Sequence, residues 1–264
     1  MNEFFEKLFL SEPAKKENGA YFFDSDMDGD CFDESDKEIW YAGCFQHRLR
    51  EPSPLNNEVS RRLIDRIIEH DMPVIDVACG PGMGLIPSIK QLSSHHLCMA
   101  TDANSLVIKE WKKYLDDCQV YDNLDFAQFS LMNIPLKDNS VPAYSSNIGL
   151  SSTRGGEEGK DRAISEIYRT LIDGGYFYTI ENEWDNVNKI LEVFQAMNWE
   201  PWIEFKSPQS TWHDRFVEHN FEIVSEERIG YYKLNSNDNE LGEAAEKLGM
   251  NIGVNDTAFI LRKC

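Results

Sequence analysis

Positive charge is scarce in this 264-residue chain: 26 Lys and Arg stand against 46 Asp and Glu, for a formal net charge of −20. Such a balance repels phosphate backbones and anionic membrane surfaces, which disfavours nucleic-acid and membrane partners. Paired cysteine is missing as well. The six cysteines stand singly at 31, 44, 79, 98, 118 and 264, with no CxxC pair, so neither a zinc site nor a disulfide framework is indicated. A reducing, cytoplasmic setting is the default expectation. No apolar run approaches the length of a bilayer span. The first residues, MNEFFEKLFLSEPAKKENG, lack the apolar core and small-residue cleavage site of a secretory signal. What the chain does have is core material, 41% hydrophobic and 12% aromatic, at a length that suits one large domain with additions or two small ones.

Much of the acidity gathers in the first forty residues and in NSNDNELGEAAEK. Within it, DSDMDGDCFDES, Asp24 to Ser35, imitates a calcium loop. An EF-hand needs oxygen ligands at alternate positions, Gly at the sixth and a bidentate Glu at the twelfth. Asp24, Asp26, Asp28 and Gly29 comply. Ser35 brings one hydroxyl to the twelfth position, Cys31 fills the eighth, and no second loop of this kind follows. The expectation is no metal site, and a solvated acidic loop or part of an entrance.

REPSPLNN, Arg50 to Asn57, reads as a linker between an acidic N-terminal cap, residues 1–55, and a folded domain over 56–264. NNEVSRRLIDRIIEHD carries Val59, Leu63, Ile64, Ile67 and Ile68 at helical spacing and ends before Pro73. PVIDVACG is a short apolar run closed by Gly80, a buried strand. Helices are expected in PGMGLIPSIKQL, SLVIKEWKKYLDD and GKDRAISEIYRTLIDGG, the last stopping at Gly174-Gly175. Strands are expected in HHLCMATDAN, FAQFSLMNIPL, DNSVPAYSSNIGLSS and YFYTIENEW. This βαβα alternation implies a doubly wound α/β fold, a parallel sheet with helices on both faces. Farther on, STWHDRFVEHN reads as a helix. FEIVSEERI and TAFILRK read as strands, joined by a stretch too short for a clear helical crossover, so they suit an antiparallel hairpin.

In such sheets ligands bind at the carboxyl ends of the strands. There VIDVACGPGMG, Val74 to Gly84, turns from strand to helix through Gly80, Gly82 and Gly84. Glycines allow a sharp bend and a close backbone approach, and the helix start beyond offers free N–H groups to a carboxylate. Asp102 follows the next strand, where an acid accepts two hydrogen bonds from a ribose diol. The spacing is GxGxG rather than the GxGxxG of dinucleotide enzymes.

With MATDAN behind it, this arrangement resembles the class I S-adenosylmethionine-dependent methyltransferases. SLMNIPLKDNSVPAYSSN is similar to the family's third-strand loop and fourth strand. RAISEIYRTLIDGGYFYTIEN resembles its ExxRxLxxGG helix and fifth strand, and RFVEHNFEIVSEERIG its turn into the sixth. The resemblance runs from about Asn56 to the end of the chain. It implies a Rossmann-like, seven-stranded, mainly parallel sheet with an antiparallel last strand, and S-adenosylmethionine as cofactor. It further implies that Gly80 and Gly82 pass beneath the methionine part, with Ala78 beside them, and that Asp76 anchors the amino end, directly or through water; read by itself, Asp76 could also cap local backbone N–H groups. Asp102 holds the ribose hydroxyls, Ala103 and Leu131 flank the adenine, and the Asn147 carbonyl lies near the methionine backbone. Ser130 stands where the family often has Asp, which removes a carboxylate partner for the adenine amino group.

A sulfonium methyl is already electrophilic, so no catalytic residue is assigned from the resemblance. His47, Tyr144, Glu181 and His213 are candidate bases or substrate contacts, and Arg48 or Arg50 candidate partners of the cofactor carboxylate. The expected acceptor is a small, neutral or cationic molecule. A cover is expected from the N-terminal segment and from residues 182–215, which hold Trp184, Phe194, Trp199, Trp202, Phe205 and Trp212. Two other functions stay open: a non-catalytic cofactor-binding protein and a nicotinamide-dependent oxidoreductase.

Overall fold

A computed structural model describes residues 2–23 and 45–264. The calcium-like loop lies outside the described residues. After a helical turn at Glu3–Glu6 come β1 (Lys15–Glu17), β2 (Ala20–Phe22), α1 (Phe45–Arg50), α2 (Glu58–His70), β3 (Val74–Asp76), α3 (Ile86–Leu92), β4 (Cys98–Asp102), α4 (Ser105–Cys118) and β5 (Leu124–Gln128). There follow β6 (Val141–Asn147), α5 (Gly156–Thr170), β7 (Leu171–Trp184), α6 (Val187–Ala196), α7 (Trp212–Glu218), β8 (Phe221–Lys233), α8 (Glu240–Lys247) and β9 (Gly253–Lys263).

One nine-stranded sheet runs β1-β2-β5-β4-β3-β6-β7-β9-β8. The strands from β2 to β7 pair in parallel, and β9 enters antiparallel between β7 and β8. Seven of these strands are the ones the sequence predicts; the expected count falls short by the N-terminal hairpin. Lys15–Glu17 pairs antiparallel with Ala20–Phe22, and β2 then extends the sheet beside β5. Its signal is three residues per strand, too short for an alternation to show.

Strand alternation sorts the core into two layers. On β3, Val74 faces one side with α2, α3 and α4, through Leu63, Ile64, Ile89 and Trp111. Ile75 faces the other with α5 and α7, through Ile164, Ile167 and Phe216. Leu63, Ile64 and Ile67 are at most 2% exposed. Each contributes roughly 1.5–3 kcal/mol of apolar burial before conformational entropy is counted. Asn57 caps α2 by accepting from the Val59 and Ser60 amides, and Asp71 ends it in the left-handed region before Pro73.

The helix α5 stops at Thr170, four residues earlier than the Gly174-Gly175 signal implied. Those glycines lie inside β7, where its register against β6 shifts between Val141 and Ala143. Pro142 of β6 has no N–H for the ladder, so a bulge forms opposite it. A Cβ at Gly175 would stand 3.0 Å from the Pro142 carbonyl.

The tryptophan-rich stretch builds a satellite core. Ile190, Val193 and Phe194 of α6 pack with Phe205 and with Leu241, Ala244 and Ala245 of α8, and Trp184, Trp199 and Trp202 close around them. The connection between β8 and β9, irregular in sequence, supplies that helix.

Candidate active site

At the carboxyl ends of β3, β4, β5 and β6 lies a cavity of about 400 Å³, within the usual range for small-molecule sites. It is lined by Ala78, Gly80, Gly82, Asp102, Ala103, Ser130, Leu131 and Asn147, eight residues that the family resemblance implied. Asp76 is not among its walls. This carboxyl is wholly buried; its Oδ2 accepts from the Leu85 amide (3.0 Å) and the Ser145 hydroxyl (2.6 Å). Oδ1 has no partner among the described residues, and burial pushes the group up to about 7. Asp76 thus ties the start of α3 to β6 rather than facing a ligand. Gly84 makes room for it: a Cβ there would lie 1.8 Å from Asp76 Oδ1, and its φ of +55° is one that side chains resist.

The Gly80 amide donates to Asp102 Oδ2 and the Asn104 amide to Oδ1, each at 2.8 Å. Burial raises the Asp102 carboxyl, while these amides and that of Ala103 oppose the rise. Three amides leave one of the carboxylate's four lone-pair sites open to a ribose hydroxyl. Trp111 Nε1 donates to the Gly80 carbonyl (3.1 Å), and Phe45 stacks on Trp111 with centroids 3.7 Å apart. That stack seats α1 over the glycine loop. From α1, Arg48 lines the cavity, with Nε 3.9 Å from where a Gly82 Cβ would stand. Arg48, rather than Arg50, is the arginine of this helix that reaches the wall. Gln128 was missed from sequence; its Nε2 donates to the Ala103 carbonyl (2.9 Å) and locks the loop after β4 to the end of β5.

Another part of the wall comes from the loop 148–154, also missed, through Ile148, Gly149, Ser152, Thr153 and Arg154, together with Phe129 and Met132. Glu181 holds this loop without touching the cavity. It is fully buried and accepts from the Leu150 and Ser151 amides (3.2 and 2.9 Å) and from the Ser151 and Thr179 hydroxyls (2.6 and 2.7 Å). Burial raises its carboxyl against those bonds. Ile148, on the wall, has φ +63°, an unusual strain for a β-branched residue, and Ala78 has φ +51°. Both lie where the backbone must bend to face a ligand.

The other candidate bases stand elsewhere. Tyr144 is buried and bonded to the Thr170 hydroxyl at 2.7 Å. His213 is exposed beside Glu226 (2.7 Å), and His47 sits on α1 away from the wall. The expected cover from 182–215 does not line the cavity. Its aromatics are consumed by the satellite core and, for Trp212, by stacking on Phe216.

Residues 75–179 match a family model described as a methyltransferase domain. With the GxGxG bend and the acid after β4 in place, residues 75–179 form a class I S-adenosylmethionine-dependent methyltransferase domain. The chain is 28% identical over 111 residues to the ubiquinone/menaquinone biosynthesis C-methyltransferase UbiE of Rickettsia bellii (strain OSU 85-389), covering 41% of this chain and 43% of that protein. The corresponding protein of Rickettsia akari (strain Hartford) is 27% identical over 121 residues, 45% and 47% of the two chains. The chain therefore spans less than half the length of these relatives. Among solved structures, the MccD protein superposes with a TM-score of 0.56 at 17% identity, covering 79% of this chain and 99% of that one. The [4+2]-cyclase SpnF does so at 0.50 and 16%, covering 77% and 81%. These two likenesses show the fold.

The cavity of the methyltransferase domain fits the family's cofactor. The space beside the Gly80 Cα is open, with nothing within 4 Å of an added Cβ. An acid that accepts hydroxyls and an arginine that meets a carboxylate line the same cavity. Among the described residues no His, Cys, Asp and Glu group is placed to hold a metal ion. No helix among them is long and apolar enough to cross a membrane.

Proposed function

We propose that this chain transfers the methyl group of S-adenosylmethionine to a small-molecule acceptor. The observation that carries this reading is the single cavity in which the glycine loop, Asp102 and Arg48 converge at the carboxyl ends of the strands. Bound there, the cofactor would present a sulfonium methyl as the electrophile. The chain's part is to hold it, align the acceptor and keep water out. Gly80 and Gly82 would lie beneath the methionine portion, with Arg48 at its carboxylate. Asp102 would take the ribose hydroxyls, and Ala103 and Leu131 would border the adenine with Ser130 beside them. The Asn147 carbonyl would meet the amino end.

The acceptor would lie against Met132 and residues 148–154. Among the described residues the wall includes no His, Lys, Tyr or Glu. An acceptor that arrives unprotonated at its nucleophilic atom suits it better than one that needs a base. Carbon methylation, the reaction in the relatives' name, fits when the acceptor's own ionised substituent activates the carbon. The charge of −20 supports a small acceptor over a nucleic acid, and the unpaired cysteines support a reducing, cytoplasmic setting.

Mass spectrometry of the ligand retained by the purified protein, followed by acceptor-dependent formation of S-adenosylhomocysteine, tests the reading. Retained cofactor without turnover across an acceptor panel would favour a binding protein, and retained NADH an oxidoreductase.

A further inference from the structure

A second cavity, of about 410 Å³, lies beneath α2 on the sheet face formed by β7, β9 and β8. It shares no wall residue with the glycine-loop cavity. Arg62, Arg66 and His70 line it one helical turn apart, a basic row in a chain of net charge −20. Arg62 is spent on Glu58 and on Glu227, the acid on the facing rim. Arg66 gives one nitrogen, Nη1, to Glu69 (2.8 Å), and its other guanidinium nitrogens have no partner among the described residues.

His70 Nδ1 meets the Tyr178 hydroxyl. Tyr178 is fully buried, and burial keeps its phenol protonated. That proton has Nδ1 as its one acceptor among the described residues, because a buried donor left unpaired is costly. The ring proton then sits on Nε2, which no described acceptor meets. The Arg66 nitrogens that Glu69 leaves over and His70 Nε2 therefore border one cavity as donors without an acceptor among the described residues. The floor is apolar: Leu63 and Ile260 are buried, and Tyr176 stacks on Tyr178 at 5.7 Å, with the His70 ring 4.4 Å from Tyr176.

We propose that this cavity is a second ligand site, selective for a small carboxylate with an apolar body. The carboxylate takes Arg66 and His70, and the body lies on Leu63, Ile260 and Tyr176. A planar fork suits a carboxylate, and an apolar floor beside it rejects a fully hydrated anion.

Calorimetry with sodium hexanoate, sodium benzoate, hexan-1-ol and inorganic phosphate tests this. Hexanoate and benzoate should bind saturably, with hexan-1-ol and phosphate each weaker by about tenfold or more, the loss of one charge-assisted contact or of the apolar burial. Arg66→Gln should weaken hexanoate by about tenfold. Arg61→Gln makes the same charge change on the same helix, at a residue that does not line the cavity, and should not. Affinity for S-adenosylhomocysteine should stay the same in both variants, which separates this site from the cofactor site. Absence of saturable hexanoate binding, equal binding of phosphate, or equal loss in Arg61→Gln would overturn the proposal.

Discussion

The loop after β3, residues 77–85, closes over Asp76; the loop after β6, residues 148–154, closes over Glu181. Both carboxylates are fully buried, and both collect donors from the loop they hold. Glu181 accepts four hydrogen bonds, from two amides and two hydroxyls. Asp76 accepts two, both on one oxygen, and leaves the other bare. Each loop also carries a glycine that a side chain would crowd: Gly84 against the Asp76 carboxylate itself, and Gly149, whose added Cβ would stand 2.3 Å from Ser146 Oγ and 2.9 Å from Ala78 Cβ. One device thus leaves a three-glycine signature, Gly80, Gly82 and Gly84, in one place and a lone glycine, Gly149, in the other.

The largest expected effect breaks the first loop. Gly84→Ala puts a methyl 1.8 Å from Asp76 Oδ1 at φ +55°. The backbone penalty of about 1–2 kcal/mol adds to an overpacking penalty of roughly 1–3 kcal/mol. Chemical denaturation should show that combined loss, or a chain that no longer folds. Gly82→Ala is the control: its Cβ meets only Arg48, at 3.9 Å. That variant should fold normally, and titration with S-adenosylhomocysteine should show weakened binding. If Gly84→Ala is as stable as wild type, the packing between Gly84 and Asp76 is looser than described.

Next comes Asp102, which joins the two sides of the cofactor's seat. Asp102→Ala loses a charge-assisted diol contact of about 2–3 kcal/mol, roughly thirtyfold or more in affinity. It also frees the Gly80 and Asn104 amides, so a lower melting temperature should accompany it. Asp102→Asn keeps an acceptor for one amide and should fall between. Unchanged calorimetric affinity in a folded Asp102→Ala protein would remove the ribose from this residue.

These two residues show why so much of the first wall was legible. Gly84 must be glycine, and Asp102 must be an acid at a strand end, so chemistry pins letter to place. Gln128 could be replaced in principle by any side chain that donates to the Ala103 carbonyl, and in residues 148–154 the crowding pins only Gly149 to its letter, a single glycine with no pattern around it. Asp76 was open to two readings, a cofactor anchor or a cap for local backbone N–H groups, because the letter does not say which way a buried carboxylate turns; the Leu85 contact is of the second kind. The tryptophans misled for a related reason: an aromatic cluster looks the same whether it walls a cavity or fills a satellite core. The core strands showed clearly because alternation such as Val74 and Ile75, one to each layer, repeats along the chain.

Glu181→Gln sharpens the comparison from the other side. An amide presents one acceptor oxygen to four donors and turns its NH2 against the rest. A loss of about 1–3 kcal/mol is expected for the unsatisfied donors. Because this wall faces the proposed acceptor, turnover should fall more than affinity for S-adenosylhomocysteine. Equal loss of both would show that the two loops are one cooperative unit.

A change of slope, rather than a loss at one pH, separates the two carboxylates. Burial raises Asp76 to about 7, with Asp102's charge adding to the rise and the Ser145 and Leu85 bonds opposing it. In the unfolded chain the same group titrates near 3.9. Between about pH 4 and 7 the folded state therefore holds a proton that the unfolded state has released. Stability falls as pH rises through that window, by at most about 1.4 kcal/mol per unit from this group. Burial raises Glu181 as well, so the wild-type slope contains both. Asp76→Asn, neutral at every pH, should remove the Asp76 share and leave a shallower decline between pH 5.5 and 7.5. Glu181→Gln, measured over the same range, removes the other share. If Asp76→Asn runs parallel to wild type, Asp76 is ionised throughout. The bare Oδ1 would then carry charge without a partner among the described residues, and the Leu85 amide and Ser145 hydroxyl would be held by an ionised carboxylate.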